Sequence, residues 1–148
     1  MKTAHEFKIM RIRECIAGEM LDTPEKAVAY WRANIPQAEW YDPAKEAVVV
    51  LTLNTRRRII GHNLVTLGSL DTCLIHAREV FRPAIVAAGS AIVLMHNHPS
   101  NDPTPSEADI KVTRDLIRAG QLLKIELLDH VIIGEGHYSL KTAGYFYS

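Results

Sequence analysis

Two histidines directly follow a short apolar run, and this arrangement constrains the fold more than any other feature of the chain. Residues 91–95 have the composition of a fully buried strand, and His96 and His98 stand at its carboxyl end. Because side chains two residues apart on a strand lie on the same face, both imidazoles are predicted to face a common point. The sequence therefore predicts a polar site at the end of a buried strand.

A carboxylate follows these histidines on a predicted helix. The helix start is marked by Thr104 as the N-cap, Pro105 at the first helical position and Glu107 closing a capping box. This start leaves Ser106 and Asp109, three residues apart, on one helical face. Ser106 as the N-cap, with Asp109 closing the box, fits the same residues, so both helix starts remain open.

Two imidazoles and one carboxylate form a ligand set suited to zinc. A zinc ion with three protein ligands keeps its fourth position open for water, which distinguishes catalytic from structural sites. The sequence predicts one Zn²⁺ per chain, bound by His96, His98 and Asp109. The alternatives are a hydrogen-bonded histidine pair at a strand end and an Asp109 that only complements the helix dipole.

Strands and helices alternate around this site. We expect α/β (α+β) architecture with a mixed β-sheet flanked by helices. One helix is predicted to carry Ala87 on its inner side, and the Asp109 helix is predicted to stop at Gly120. The predicted elements are a helix from about Thr23, a hairpin of strands 47–53 and 59–66, a helix over 76–88, the strand 91–95, the Asp109 helix, and strands 125–133 and 138–140.

Composition places limits around this reading. The 148 residues are 47% hydrophobic, which is enough for one domain with its own core. The two cysteines, Cys15 and Cys73, are far apart in sequence and predict neither a disulfide nor a metal ligand. No apolar stretch approaches the roughly 20 residues of a membrane span. We expect a soluble cytoplasmic protein that does not engage a membrane.

The spacing of His96, His98, Ser106 and Asp109 resembles the JAMM (MPN-plus) zinc metalloprotease motif. Segments 78–81, 128–134 and 138–140 are similar to those of its RadC branch, and the resemblance covers about residues 46–140. It implies a single RadC-like JAB/MPN domain over 1–148, with cytidine-deaminase-like architecture and a weakly matched helical segment over 1–40. It also implies a short form without the helix-hairpin-helix domain of longer RadC proteins. Asn101 replaces the usual glycine of the family, and asparagine tolerates left-handed backbone.

The resemblance also implies a mechanism. In JAMM enzymes a glutamate from an earlier strand takes a proton from the attacking water, and a serine stabilises the oxyanion. Glu46, just before the first predicted strand, is the expected base, with Glu79 as its rival; Ser106 is the expected oxyanion donor. His130, inside an apolar strand, is interpreted as a hydrogen-bonded core histidine rather than a fourth ligand.

Two functions follow as expectations. The first is a zinc-dependent metallopeptidase or isopeptidase that hydrolyses an amide of a protein or peptide through metal-activated water. The second is a non-peptidase accessory factor in DNA repair or recombination, the traditional association of the RadC family. Arg56, Arg57 and Arg58 could contact phosphates, but a formal net charge of zero gives no general attraction to DNA.

Overall fold

A mixed five-stranded sheet forms the centre of the described part of the chain, which in this computed structural model comprises residues 2–8, 10–68 and 75–146. The strand order is β2-β1-β3-β4-β5; β3 and β4 run parallel and the other neighbours run antiparallel. The predicted mixed sheet is confirmed. The strands are β1 (Ala47–Leu53), β2 (Ile59–Leu67), β3 (Ala91–Asn97), β4 (Glu126–Gly134) and β5 (Gly136–Ser139).

Three helices of the described residues cover the two faces of this sheet: α1 (Pro24–Asn34), α2 (Ala77–Val86) and α3 (Glu107–Leu123). Alternate residues of β1 belong to two different apolar clusters, because successive side chains of a strand point to opposite faces. One cluster joins Val49 and Leu51 to α1, and the other joins Val48 and Val50 to α2 and α3. The site-bearing strands thus lie between two helical layers.

Strands β1 and β3 have no exposed residue. Every residue of β1 and β3 is buried, which is why both strands read as continuous apolar runs. Among the described residues, no helix has both the length and the apolar character needed to cross a membrane. Cys15 is a free, half-buried thiol, and Cys73 lies outside the described residues.

The start predicted for the Asp109 helix at Thr104 is wrong. Ser106 is the N-cap of α3, and its side chain accepts a hydrogen bond from the backbone N–H of Asp109. Thr104 instead hydrogen-bonds to Asp102, through both its backbone N–H and its hydroxyl. Because this turn uses the Thr104 side chain, the first of the two overlapping capping boxes does not form.

The end predicted at Gly120 is also wrong, since α3 continues to Leu123 and the left-handed residue that ends it is Lys124, with φ 60°. Gly120 is buried where α3 meets the chain entering β4, and a Cβ there would lie 2.4 Å from the Ile125 carbonyl oxygen. The glycine therefore permits close packing. In α2, Ala87 lies beyond the last helical residue and is exposed, so its predicted inward position is wrong.

Replacing Gly120 with alanine should destabilise the protein. Alanine is a better helix former than glycine, and this alone would raise the free energy of unfolding by about 1 kcal/mol. The new methyl group would, however, collide with the backbone carbonyl of Ile125, and overpacking costs about 1–3 kcal/mol. We expect a net loss on the order of 1 kcal/mol in denaturant unfolding. Gly61→Ala is the control, because a Cβ there meets nothing within 4 Å. A Gly120→Ala variant as stable as the native chain would contradict this packing.

Candidate metal centre

His96 is the second-to-last residue of β3 and lies on the same face of the strand as Ile92 and Leu94. It is paired with Val48 of β1 and Ile132 of β4, and its side chain is fully buried. Since this face of the sheet is covered by α3, the His96 imidazole points toward the amino-terminal turn of that helix.

His98 begins the loop that joins β3 to α3. Its backbone N–H donates to the Ile133 carbonyl at 2.8 Å, and its Nδ1 lies 2.8 Å from the Asp102 carbonyl oxygen. A carbonyl only accepts, so Nδ1 carries the proton and Nε2 of the neutral ring presents a lone pair. Asn101 adopts the left-handed backbone predicted for it, with φ 70°. The turn thereby directs Nε2 of His98 toward His96.

Asp109 is held by the capping box of α3. Its Oδ2 accepts from the backbone N–H of Ser106 at 2.8 Å, while its own N–H donates to Ser106 Oγ at 3.1 Å. The side chain is 1% exposed, so burial alone would raise its pKa. The adjacent His96 imidazole and the Ser106 N–H, which donates to Oδ2, instead hold the pKa of Asp109 well below its ordinary value.

Glu46 precedes β1 and is fixed by the residue between the two histidines. The side chain of Asn97 accepts from the Ala47 N–H at 2.8 Å and donates to the Lys45 carbonyl at 3.1 Å. The Glu46 carbonyl in turn accepts from the Gly68 N–H at 2.7 Å. Asn97 therefore holds the backbone on both sides of Glu46, a positioning role that the sequence analysis missed.

Four side chains converge at this point. Nε2 of His96 lies 3.0 Å from Nε2 of His98, 3.2 Å from Asp109 Oδ1 and 3.3 Å from Glu46 Oε1. Nε2 of His98 lies 3.3 Å from Asp109 Oδ2. One donor atom from each of the four residues lies within 4.8 Å of the others. The structure thus brings together all three predicted ligands and the expected base.

These distances fit a divalent metal ion. In a tetrahedral site with zinc–ligand bonds of about 2.0–2.2 Å, neighbouring ligand atoms lie roughly 3.3–3.6 Å apart. The separations among the three predicted ligands, 3.0–3.3 Å, lie at or slightly below that spacing. Two carboxylates and two neutral imidazoles also carry two negative charges, which a divalent cation would balance. The donor set therefore has the chemistry, spacing and charge to hold a divalent metal ion.

His130 lies behind His96 and, as predicted, is a hydrogen-bonded core histidine. Its Nε2 lies 2.9 Å from His96 Nδ1, and its Nδ1 lies 2.6 Å from Thr113 Oγ1. Full burial lowers the pKa of the His130 imidazole well below its ordinary value, and the neighbouring His96 acts in the same direction. Thr113 is not predicted from sequence, because an isolated threonine in a helix carries no spacing signal.

Of the remaining candidates, Glu79 and the three arginines lie outside the cluster, whereas Ser106 lies beside it. Glu79 is in the first turn of α2 and is not a member of the four-residue group. Arg56, Arg57 and Arg58 lie at the β1–β2 turn, at the opposite end of β1 from Glu46. Arg57 pairs with Glu126 at 3.3 Å. Ser106 is exposed beside the cluster.

Comparison with known proteins agrees with this geometry. A family model described as the RadC-like JAB domain matches residues 21–145. A UPF0758 protein of Caldanaerobacter subterraneus is 50% identical over 104 residues, which cover 70% of this chain and 45% of the relative. UPF0758 proteins of Methanosarcina barkeri and Desulfitobacterium hafniense are 45% and 50% identical over 102 and 101 residues, in each case 68% of this chain and 44% of the relative. The matched segment thus spans less than half the length of these relatives. With most of its length matched by the family model, the chain belongs to the RadC-like JAB domain family.

Proposed function

We propose that this chain is a zinc-dependent metallopeptidase or isopeptidase that hydrolyses an amide bond of a protein or peptide. The observation that carries the proposal is the convergence of Glu46, His96, His98 and Asp109 within 4.8 Å. His96, His98 and Asp109 would hold the zinc ion. When bound, zinc would lower the pKa of water toward about 7 and polarise the substrate carbonyl.

Glu46 is the proton carrier of the reaction. Its side chain is 17% exposed, whereas Asp109 is 1% exposed, so Glu46 lies on the side of the cluster that substrate and water reach. Its carboxylate accepts a proton from the attacking water as the new C–O bond forms. The same proton then passes to the leaving nitrogen as the C–N bond breaks.

Ser106 is the proposed donor to the oxyanion. Its Oγ accepts the Asp109 N–H, and this use as an N-cap leaves the hydroxyl proton available for donation. The same hydroxyl can therefore cap the helix and donate to the oxyanion. As negative charge builds on the carbonyl oxygen, a donor fixed at a helix N-terminus stabilises it.

Removing a ligand should remove the metal. Protein purified without chelator is expected to hold about one zinc per chain, and His96→Ala or Asp109→Ala should lose most of it, as measured by mass spectrometry of the metal. The two apolar clusters do not depend on zinc, so circular dichroism should show that the chelated protein stays folded.

His137→Ala is the matched control for this experiment. His137 lies on β5, contacts Glu25 at 3.7 Å and is not in the cluster. The zinc content of the His137→Ala variant should equal that of the native chain. Equal zinc in His96→Ala and in the native chain would refute the assignment of the ligands.

Glu46→Gln should abolish turnover and spare the metal. The amide keeps the size and polarity of the side chain but accepts no proton, and loss of a general base typically costs about a hundred- to ten-thousand-fold in rate. Cleavage of a synthetic peptide and isopeptide library, followed by mass spectrometry, measures the rate. Zinc content and the unfolding midpoint should stay close to native values.

Glu79→Gln is the control, because it changes a carboxylate of α2 outside the cluster. It should keep native turnover. The opposite pattern, an active Glu46→Gln variant and an inactive Glu79→Gln variant, would show that Glu79 rather than Glu46 is the base.

A further inference from the structure

A row of buried, hydrogen-bonded polar groups begins at Nδ1 of His96, the ring nitrogen that does not face the four-residue cluster. From His96 Nδ1 the row passes 2.9 Å to His130 Nε2, then 2.6 Å from His130 Nδ1 to Thr113 Oγ1. It ends 2.8 Å further on, at the carbonyl oxygen of Asp109. All three side chains in the row are fully buried. The row therefore connects two proposed ligands, His96 and Asp109, through the interior of the protein.

The hydrogen bonds of this row have only one consistent direction. The Asp109 carbonyl has no proton, so the Thr113 hydroxyl must donate to it. That hydroxyl has a single proton, and it therefore accepts from Nδ1–H of His130. A neutral His130 with its proton on Nδ1 has a lone pair on Nε2, which accepts from Nδ1–H of His96. Nε2 of a neutral His96 is then left unprotonated, facing the cluster.

We propose that Thr113 is a positioning residue that, acting through His130, selects the metal-binding tautomer of His96 and thereby sets the affinity of the site for zinc. This inference rests on the proposed function. If the row ran in the opposite direction, the proton of His96 would lie on Nε2 and block the lone pair that a metal ion needs. The hydrogen bond of the Thr113 hydroxyl thus determines whether His96, which it reaches through His130, can bind a metal ion.

A neutral partner for His96 also suits the charge of the site. Metal-bound histidines commonly donate their second N–H to a carboxylate, a backbone carbonyl or water. A carboxylate in this buried position would add a third negative charge next to those of Glu46 and Asp109. The imidazole of His130 accepts the same hydrogen bond without that charge. His130 remains outside the ligand set because both of its nitrogens are used in the row.

Thr113→Val tests the proposal, with Thr113→Ser as the matched control. Valine keeps the shape of the buried side chain and removes the hydroxyl, whereas serine keeps the hydroxyl. Titration of zinc against a chromophoric chelator should show affinity weakened about 10–100-fold in Thr113→Val and near native in Thr113→Ser. A merely structural role would lower the unfolding midpoint of the metal-free protein and leave the zinc affinity of the folded variant unchanged.

Nitrogen-15 NMR of the histidine rings provides a second readout. In zinc-loaded native protein, His130 should carry its proton on Nδ1. In Thr113→Val, the proton of His130 should no longer be confined to Nδ1. If Thr113→Val does not fold, Thr113→Ala removes the same hydroxyl and carries the same expectations.

Two failures can be told apart. If the native chain binds zinc but Thr113→Val binds it equally tightly, or if His130 carries its proton on Nε2, the positioning role is refuted and the zinc site stands. If the native chain binds no zinc, the proposed function fails and this inference fails with it.

Discussion

The pairing of β3 with β1 on one side and β4 on the other brings His96, His98 and the segment that carries Glu46 together. This pairing sets His96 opposite Val48, next to the start of β1, and so brings the segment carrying Glu46 to the carboxyl end of β3. The parallel neighbour β4 supplies His130 beside Leu94 and the Ile133 carbonyl that holds His98. A shift of one residue in either register would turn these side chains to the opposite face of the sheet.

Burial and charge then act together within this frame. Glu46 and Asp109 bring two carboxylates close to two imidazoles, in a place where Asp109 and His96 have almost no contact with solvent. Local hydrogen bonds orient each group: the Asp102 carbonyl for His98, the N–H of Ser106 for Asp109, and the Asn97 amide for the backbone around Glu46. Because the protein has two apolar clusters, these polar arrangements are not required to form its core.

Much of this arrangement could be predicted from local sequence, and the errors have physical causes. The continuous apolar runs of β1 and β3 and the Thr23–Pro24 helix start are local signals, and the structure confirms them. The start of α3 was ambiguous because two capping boxes overlap in sequence, and a hydrogen bond from Thr104 to Asp102 decides between them. Gly120 resembles a helix stop in local sequence, but it serves close packing against the Ile125 carbonyl, which is a tertiary contact that local sequence does not show. Thr113 and Asn97 act through contacts between elements distant in sequence, so no local pattern marks them.

The assignment of the cluster as a zinc site is tested most directly by a crystal structure of the zinc-loaded protein with anomalous diffraction recorded on both sides of the zinc absorption edge. We expect one strong zinc peak about 2.0–2.2 Å from Nε2 of His96, Nε2 of His98 and a carboxylate oxygen of Asp109. Glu46 should lie beside the ion rather than replace one of these ligands. A zinc peak at another place, such as Cys15, with none among these three residues would contradict the assignment.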